Sequence, residues 1–196
     1  MARGRLNRPA EPRRDEDRRQ PRAHFIYGLH AAEAALSNPK RAIRHVYVTE
    51  NAAARLAPLI AARAAPETRV RPQDFDALLG AGAVHQGVAL EAEPLTQPNL
   101  DEYLASLPED TPAVLAMLDQ VTDPHNAGAV LRSAAAFGVS ALIVQDRHSP
   151  PLTGTLAKAA SGALEHVPVI ATVNLARALE RLKERDFVCV GFDSEA

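Results

Sequence analysis

From Ala113 onward the chain alternates short apolar runs with helical stretches, and this alternation restricts the fold more than any other feature. The predicted strands are Ala113–Leu118, Ala141–Val144, Val167–Ile170 and Phe187–Phe192, and the predicted helices are Asn126–Phe137, Thr153–Ser161 and Leu175–Arg185. Strands separated by helices of this length require right-handed crossovers and therefore a parallel sheet. Ligands of such sheets sit beyond the carboxyl ends of the strands. The turn after Leu118 is thus the first place to look for a site. The chain stops at Ala196, directly after the fourth predicted strand. A half-sheet ending without a covering helix implies a chain cut short.

The N-terminal half has its own, smaller α/β pattern. Phe25–Asn38 reads as a short strand and a helix, with Leu29, Ala32 and Leu36 on one side. Ile43–Val48 (IRHVYV) alternates and is rich in β-branched residues, which marks a strand. A helix follows over Asn51–Ala65, with Asn51 as its cap and a start or kink at Pro58. A strand near Thr68–Arg71, a helix over Asp74–Leu79 and a strand over Gly87–Ala92 complete the unit. Residues 94–112 contain four prolines and one short helical stretch around Leu100–Leu107, and read as a linker. The organisation is therefore an arm over 1–23, a small α/β domain over 24–93, the linker, and a parallel-sheet domain over 113–196.

Charge is distributed unevenly. Residues 1–23 hold eight arginines against four acids, so a Pro/Arg-rich arm precedes a body that is net acidic. Such an arm reads as disordered, and serves either as a nucleic-acid contact or as a solubilising extension. No apolar run exceeds about six residues, which excludes a membrane span and a secretory signal. The single cysteine, Cys189, lies in FVCVGF and reads as a small buried hydrophobe in a cytoplasmic protein. The seven histidines show no metal-ligand spacing, and with 4% aromatics a base-stacking platform is not expected. Neither a phosphate-binding loop nor a dinucleotide fingerprint follows the first strand of the second half.

What does follow that strand is DPHNAGAVLRSAAAFGV, Asp123–Val139. This helix is almost entirely small and apolar except for Arg132, with Asn126 at its start. The small residues Gly128, Ala129, Ala135 and Ala136 share a face with Arg132, leaving room for a chain or ligand to approach. Val130, Leu131, Ala134 and Phe137 form the face expected to pack on the sheet. A guanidinium here must pair with a carboxylate, a phosphate or a carbonyl. Two arrangements fit: an interdomain ion pair with Asn126 as an ordinary helix cap, or a ligand site at a helix N-terminus.

Leu118–Val139 resembles the first signature motif of the SpoU (TrmH-like) RNA ribose 2′-O-methyltransferases of the SPOUT class. The match is D-P-x-N-x-G, an arginine four residues later, and a small-residue helix ending F-G-V. Lys158–Val169 (KAASGALEHVPV) is similar to a second family segment, S-G-A-L-E-x-x-P. YGLHAAEAAL, IRHVYVTE and HQGVAL resemble the substrate-binding domain of the branch that methylates a guanosine of large-subunit ribosomal RNA. The resemblance implies a trefoil-knotted α/β fold, S-adenosylmethionine as cofactor with no metal, ribosomal RNA as partner and a homodimer. It implies Arg132 as the catalytic arginine, Asn126 as its support or a substrate contact, and Glu165 as a site carboxylate or a surface ion pair. His85 and Gln86 are placed as RNA contacts, or as a turn with Gly87. Arg41 and Arg44, with Lys40, are placed as a phosphate-facing patch or a solvated basic surface. The family's second and third motifs, which thread the knot and build most of the cofactor pocket, are expected beyond Ala196. A non-catalytic RNA-binding protein and a transfer-RNA 2′-O-methyltransferase are the alternative functions.

Overall fold

The computed structural model describes residues 24–108, 112–147, 149–152 and 154–192, and the N-terminal arm lies outside them. The first unit runs β1 (Phe25–Tyr27), α1 (Leu29–Ser37), β2 (Ile43–Val48), α2 (Glu50–Arg63), β3 (Glu67–Arg69), α3 (Phe75–Leu79) and β4 (Val88–Ala92). These strands form one sheet in the order β1-β4-β2-β3. Strand β4 is antiparallel to both β1 and β2, whereas β3 joins β2 in parallel after the α2 crossover. In β2 the alternation holds from His45 onward, with Val46 and Val48 fully buried and Tyr47 between them only partly so; Arg44 breaks it, exposed where the register shifts between Ile43 and His45. Helix α2 starts one residue earlier than predicted, because the Thr49 hydroxyl and not Asn51 accepts from the Ala52 N–H. Pro58 stands inside that helix on its exposed face, where the carbonyl deprived of a donor can bond water.

The second unit runs α4 (Leu100–Ser106), β5 (Leu115–Leu118), α5 (Pro124–Ala136), β6 (Ala141–Gln145), α6 (Gly154–Ala159), β7 (Val169–Thr172) and α7 (Leu175–Lys183). Its sheet is parallel throughout, in the order β5-β6-β7. Central β6 is buried from Ala141 to Val144, as a strand covered on both faces must be. Helices α4 and α7 cover one face through Leu104, Leu175 and Leu182, packed on Ile143 and Ile170. The stretch read as a linker is therefore part of this unit. Gln97 accepts from the Val169 N–H at 2.9 Å, and the Tyr103 hydroxyl donates to the Ser140 carbonyl at 2.8 Å.

The other face, carrying α5 and α6, merges with the core of the first unit. Leu131, Leu156, Ala157 and Ala160 share one cluster with Ala31, Ala35, Leu36 and Leu56. Small residues make this approach possible. A Cβ on Gly128 would lie 2.5 Å from that of Ala159, and one on Gly154 would lie 2.4 Å from the Phe25 carbonyl oxygen. Gly162 has a φ of +93° and faces the Ala34 methyl, so neither its backbone nor its surroundings accept a side chain. Of the small face predicted for α5, only Gly128 is taken up by helix α6; Ala129 is partly buried, and Ala135 and Ala136 remain exposed.

Across this seam lies a buried ion pair. The Arg41 guanidinium donates from Nη2 to Glu165 Oε1 at 2.6 Å and from Nε to both carboxylate oxygens at 3.2 Å, and both side chains are only 1–2% exposed. The Asn38 amide adds a bond to Oε2 at 2.8 Å, and Arg41 Nη1 donates to the Glu93 carbonyl at 2.8 Å. This overturns two sequence expectations at once. Arg41 faces no phosphate and Glu165 no ribose, because each is the other's counter-charge inside the protein.

Three further expectations fail for identifiable reasons. Phe137 is 85% exposed, because α5 ends at Ala136 and the buried stripe is Ala127, Gly128, Leu131 and Ala134. Phe187–Phe192 forms no strand: it pairs with neither edge of the sheet, and Val188, Val190 and Phe192 are exposed. Cys189, within that segment, is accordingly exposed.

Truncating one partner of the buried pair leaves the other charge without compensation, so Arg41→Ala is expected to lose about 3–5 kcal/mol of stability in urea unfolding. Arg41→Met combined with Glu165→Leu should recover part of that loss. Half-buried His24 sits beside the pair; burial first, and then the Arg41 charge, hold its imidazole below the usual histidine range, against an opposing pull from Glu165. The folded state thus favours neutral His24, and its contribution is present above about pH 6.5 and lost as pH falls below that value. Thermal midpoints should fall between pH 7 and pH 5.5, and less steeply in His24→Asn.

Candidate active site between the domains

Helix α5 begins directly after β5, at the carboxyl edge of the parallel sheet. Its cap is Asp123, whose carboxylate accepts from the His125 N–H at 2.8 Å, and Pro124 fills the first helical position. The helix therefore starts two residues earlier than predicted, and Asn126 is not its cap. At 3.6 residues per turn, Asn126 and Arg132 point roughly 120° apart, whereas His125 and Arg132 differ by only about 20°. It is His125, not Asn126, that lines a cavity with Arg132. Asn126 is exposed on the neighbouring flank of the helix.

That cavity is a cleft of about 670 Å³ between the two units. Helix α5 contributes His125 and Arg132, and α6 contributes Thr155 and Lys158. The first unit contributes Tyr27 and the loop Ala81–Val84. The Tyr27 hydroxyl and the Thr155 hydroxyl are 3.0 Å apart, which closes one end of the cleft across the domain boundary. Arg132 is exposed and, among the described residues, has no carboxylate within 4.0 Å and no hydrogen-bond partner. Of the two arrangements open to this residue, the interdomain ion pair belongs instead to Arg41 and Glu165. Arg132 is left facing solvent and the cleft.

The residues placed as RNA contacts separate into two groups. His85 and Gln86 lie just before β4, near the cleft, and both serve the local structure. The His85 ring stacks on Phe75 with centroids 4.1 Å apart, and its Nδ1 accepts from the Gly87 N–H at 3.0 Å. Desolvation, with Lys158 adding a repulsive charge, keeps this imidazole below its ordinary range. Gln86 has a φ of 54°, and its Oε1 accepts from the Leu29 N–H at 3.0 Å, satisfying the N-terminus of α1. Arg44 lies at the far end of β4, roughly 16 Å away at 3.3 Å per residue. Its guanidinium binds Glu93 at 2.8 Å in an exposed pair, so it adds little net charge to a phosphate-facing surface. Lys40 is exposed nearby.

Two cleft residues escaped the sequence reading, His125 and Lys158. A signal existed for each. His125 stands seven residues before Arg132, which is one helical face. Lys158 is a lone cation in the small, apolar run LAKAASGAL, the same signature that drew attention to Arg132. Among the described residues, no group of three His, Cys, Asp or Glu side chains could hold a metal ion.

Comparison with known proteins bears on both units. Residues 113–196 match the model of the SpoU rRNA methylase family, and residues 25–98 match that of the RNA 2′-O ribose methyltransferase substrate-binding domain. The chain is 38% identical over 178 residues to the 23S rRNA (guanosine-2′-O-)-methyltransferase RlmB of Pseudomonas putida, covering 87% of this chain and 70% of that protein. It is 39% identical over 180 residues to RlmB of Escherichia coli K12, covering 89% and 73% respectively. In fold it is similar to the SpoU methyltransferase AviRb of Streptomyces viridochromogenes, crystallised with AdoMet (TM-score 0.61, 20% identity, 83% of this chain and 60% of that one). An rRNA methyltransferase from Sinorhizobium meliloti gives a TM-score of 0.60 at 21% identity, over 81% and 59%. The chain thus spans about 60% of these solved chains. It belongs to the SpoU rRNA methylase family, with an RNA 2′-O ribose methyltransferase substrate-binding domain preceding the methylase domain.

Proposed function

We propose that the chain carries the substrate-binding domain and the catalytic arginine of an S-adenosylmethionine-dependent enzyme that methylates a guanosine 2′-hydroxyl in 23S ribosomal RNA. The observation that carries this reading is Arg132: a cation without a partner among the described residues, on the motif helix, opening into a cleft formed jointly with the substrate-binding domain. A guanidinium stays protonated and is a poor base. Beside an RNA phosphate it orients the 2′-hydroxyl and stabilises the negative charge developing on its oxygen as the proton leaves to that phosphate. Asn126, exposed on the neighbouring flank of α5, supplies an amide to RNA that passes the mouth of the cleft.

S-adenosylmethionine, when bound, supplies the methyl group taken up by the 2′-oxygen. One feature of the sheet fits such a group: Gln145 Oε1, at the carboxyl end of β6, is buried without a hydrogen-bond partner among the described residues. A buried acceptor left unpaired is costly, and an N–H donor of a nucleoside relieves that cost. Gln145 would hold that donor. The reading also entails a homodimer acting on ribosomal RNA in the cytoplasm. Exposed Phe137 on α5 supports a partner surface there, and no described helix is long and apolar enough to cross a membrane.

In a protein that includes the family's second and third motifs, assayed with 23S RNA and labelled S-adenosylmethionine, Arg132→Ala should lower the methylation rate at least about 100-fold, well beyond the loss of RNA affinity from one phosphate contact. Undiminished methylation by that variant sinks the assigned role. RNA binding without any methyl transfer by a protein that includes the family's second and third motifs favours a non-catalytic RNA-binding protein, and label mapped to transfer RNA redirects the substrate. Sedimentation of the unaltered chain as a monomer at micromolar concentration would refute the dimer.

A further inference from the structure

The cleft contains a second cation whose setting is unlike that of any other basic residue at the domain boundary. Lys158, in the last turn of α6, is half-buried. Its stem passes over the start of the first unit: a Cβ on Gly28 would lie 3.3 Å from Lys158 Cγ. Its charge reaches His85, just beyond the Ala81–Val84 wall, where it adds to the desolvation that disfavours protonation. Among the described residues Lys158 has no carboxylate within 4.0 Å and no hydrogen bond. Arg41, the buried cation of the same seam, is by contrast fully paired. Drawing an ammonium partly out of water without a counter-charge is unfavourable. That cost is sensible where an anion arrives from outside, and Arg132 in the same cleft is unpaired in the same way.

The chemistry of that anion follows from the lining. A cleft of about 670 Å³ lies within the range that holds a nucleotide-sized ligand. The aromatic rings in the lining are Tyr27, whose hydroxyl is engaged by Thr155, and the His125 imidazole, and the wall from Ala81 to Val84 is small and apolar. Stacked bases therefore have little to rest on, while two cations offer a path for a sugar-phosphate backbone. A lysine ammonium is a compact charge with rotatable donors, suited to one phosphate oxygen rather than to a planar base edge.

We propose that Lys158 is a substrate-binding residue that holds one RNA phosphate in the interdomain cleft and so fixes the strand whose ribose Arg132 serves. This assignment rests on the RNA methyltransferase reading. Because the phosphate site is made by α6 and walled by the first unit, it exists only while the two units are docked.

The test is binding of the full chain to transcribed 23S RNA over a salt series. Each phosphate contact contributes about 0.7 to the slope of log affinity against log salt for single strands. Lys158→Gln should flatten that slope by about this amount, so that raising salt from about 50 to about 200 mM costs the variant about threefold less affinity than the unaltered chain. Lys158→Arg should restore the slope. The thermal midpoint of Lys158→Gln should be unchanged or higher, since an unpaired charge has been removed, and a purely structural role predicts the opposite. An unchanged slope in Lys158→Gln, with RNA still bound and methylated by the unaltered chain, overturns the assignment alone. Absence of RNA binding by the unaltered chain overturns it together with the reading beneath it.

Discussion

The position of every cleft residue depends on the pairing of Arg41 with Glu165. Two charges have been taken out of water at a seam between two sheets, and the cost is offset only because the geometry is nearly saturated: the carboxylate receives Arg41 through two nitrogens and Asn38 through its amide. Arg41 in turn reaches the carbonyl of Glu93 at the end of β4. One guanidinium thus ties the loop after α1, the end of the first sheet and the turn before β7. Hydrophobic contact alone would allow the two units to slide; a bidentate pair sets direction and register. The cleft lies on the other side of the same seam, where Tyr27 meets Thr155.

Around that pair the interface is made of absences. Gly154 and Gly162 stand where a methyl group would collide with the first unit, and Gly128 where one would collide with α6 behind them. The alanine-rich sequence of α1, α5 and α6 therefore serves close helix packing, and the packing brings two long cations, Arg132 and Lys158, to one opening. Small residues and isolated charges are two parts of one arrangement: the first allow close approach, and the second extend beyond it.

How much of this was legible in sequence depended on range. Strands marked by local apolar runs were read well, with β2, β4 and β6 lying within one residue of their predicted bounds, whereas the buried face of α5 was not, since Gly128 is buried and Phe137 exposed. Helix starts slipped by one or two residues where a competing cap was available, Thr49 in place of Asn51 and Asp123 ahead of Asn126. The linker was misread because prolines interrupt a segment whose anchors, Gln97 and Tyr103, bond to residues 72 and 37 positions away. Arg132 was legible from its motif and from its isolation among small residues. The destination of Arg41 was not, since nothing within its neighbourhood names a carboxylate 124 residues onward. Phe187–Phe192 has a strand's alternation, yet a strand also needs an unoccupied edge in reach, and that is a property of the fold rather than of six residues.

The seam also bears on how this architecture can be inherited. The units look like separable modules, each with its own sheet and its own family signature, and recombination would be expected to exchange them freely. A hybrid joining one relative's first unit to another's second would carry arginine without its acid, or acid without its arginine, wherever the two lineages differ at these positions. It would also place side chains against glycines that had no need to accommodate them. The two halves must therefore travel together or change in step, and the boundary between them is a constraint on ancestry as much as on shape.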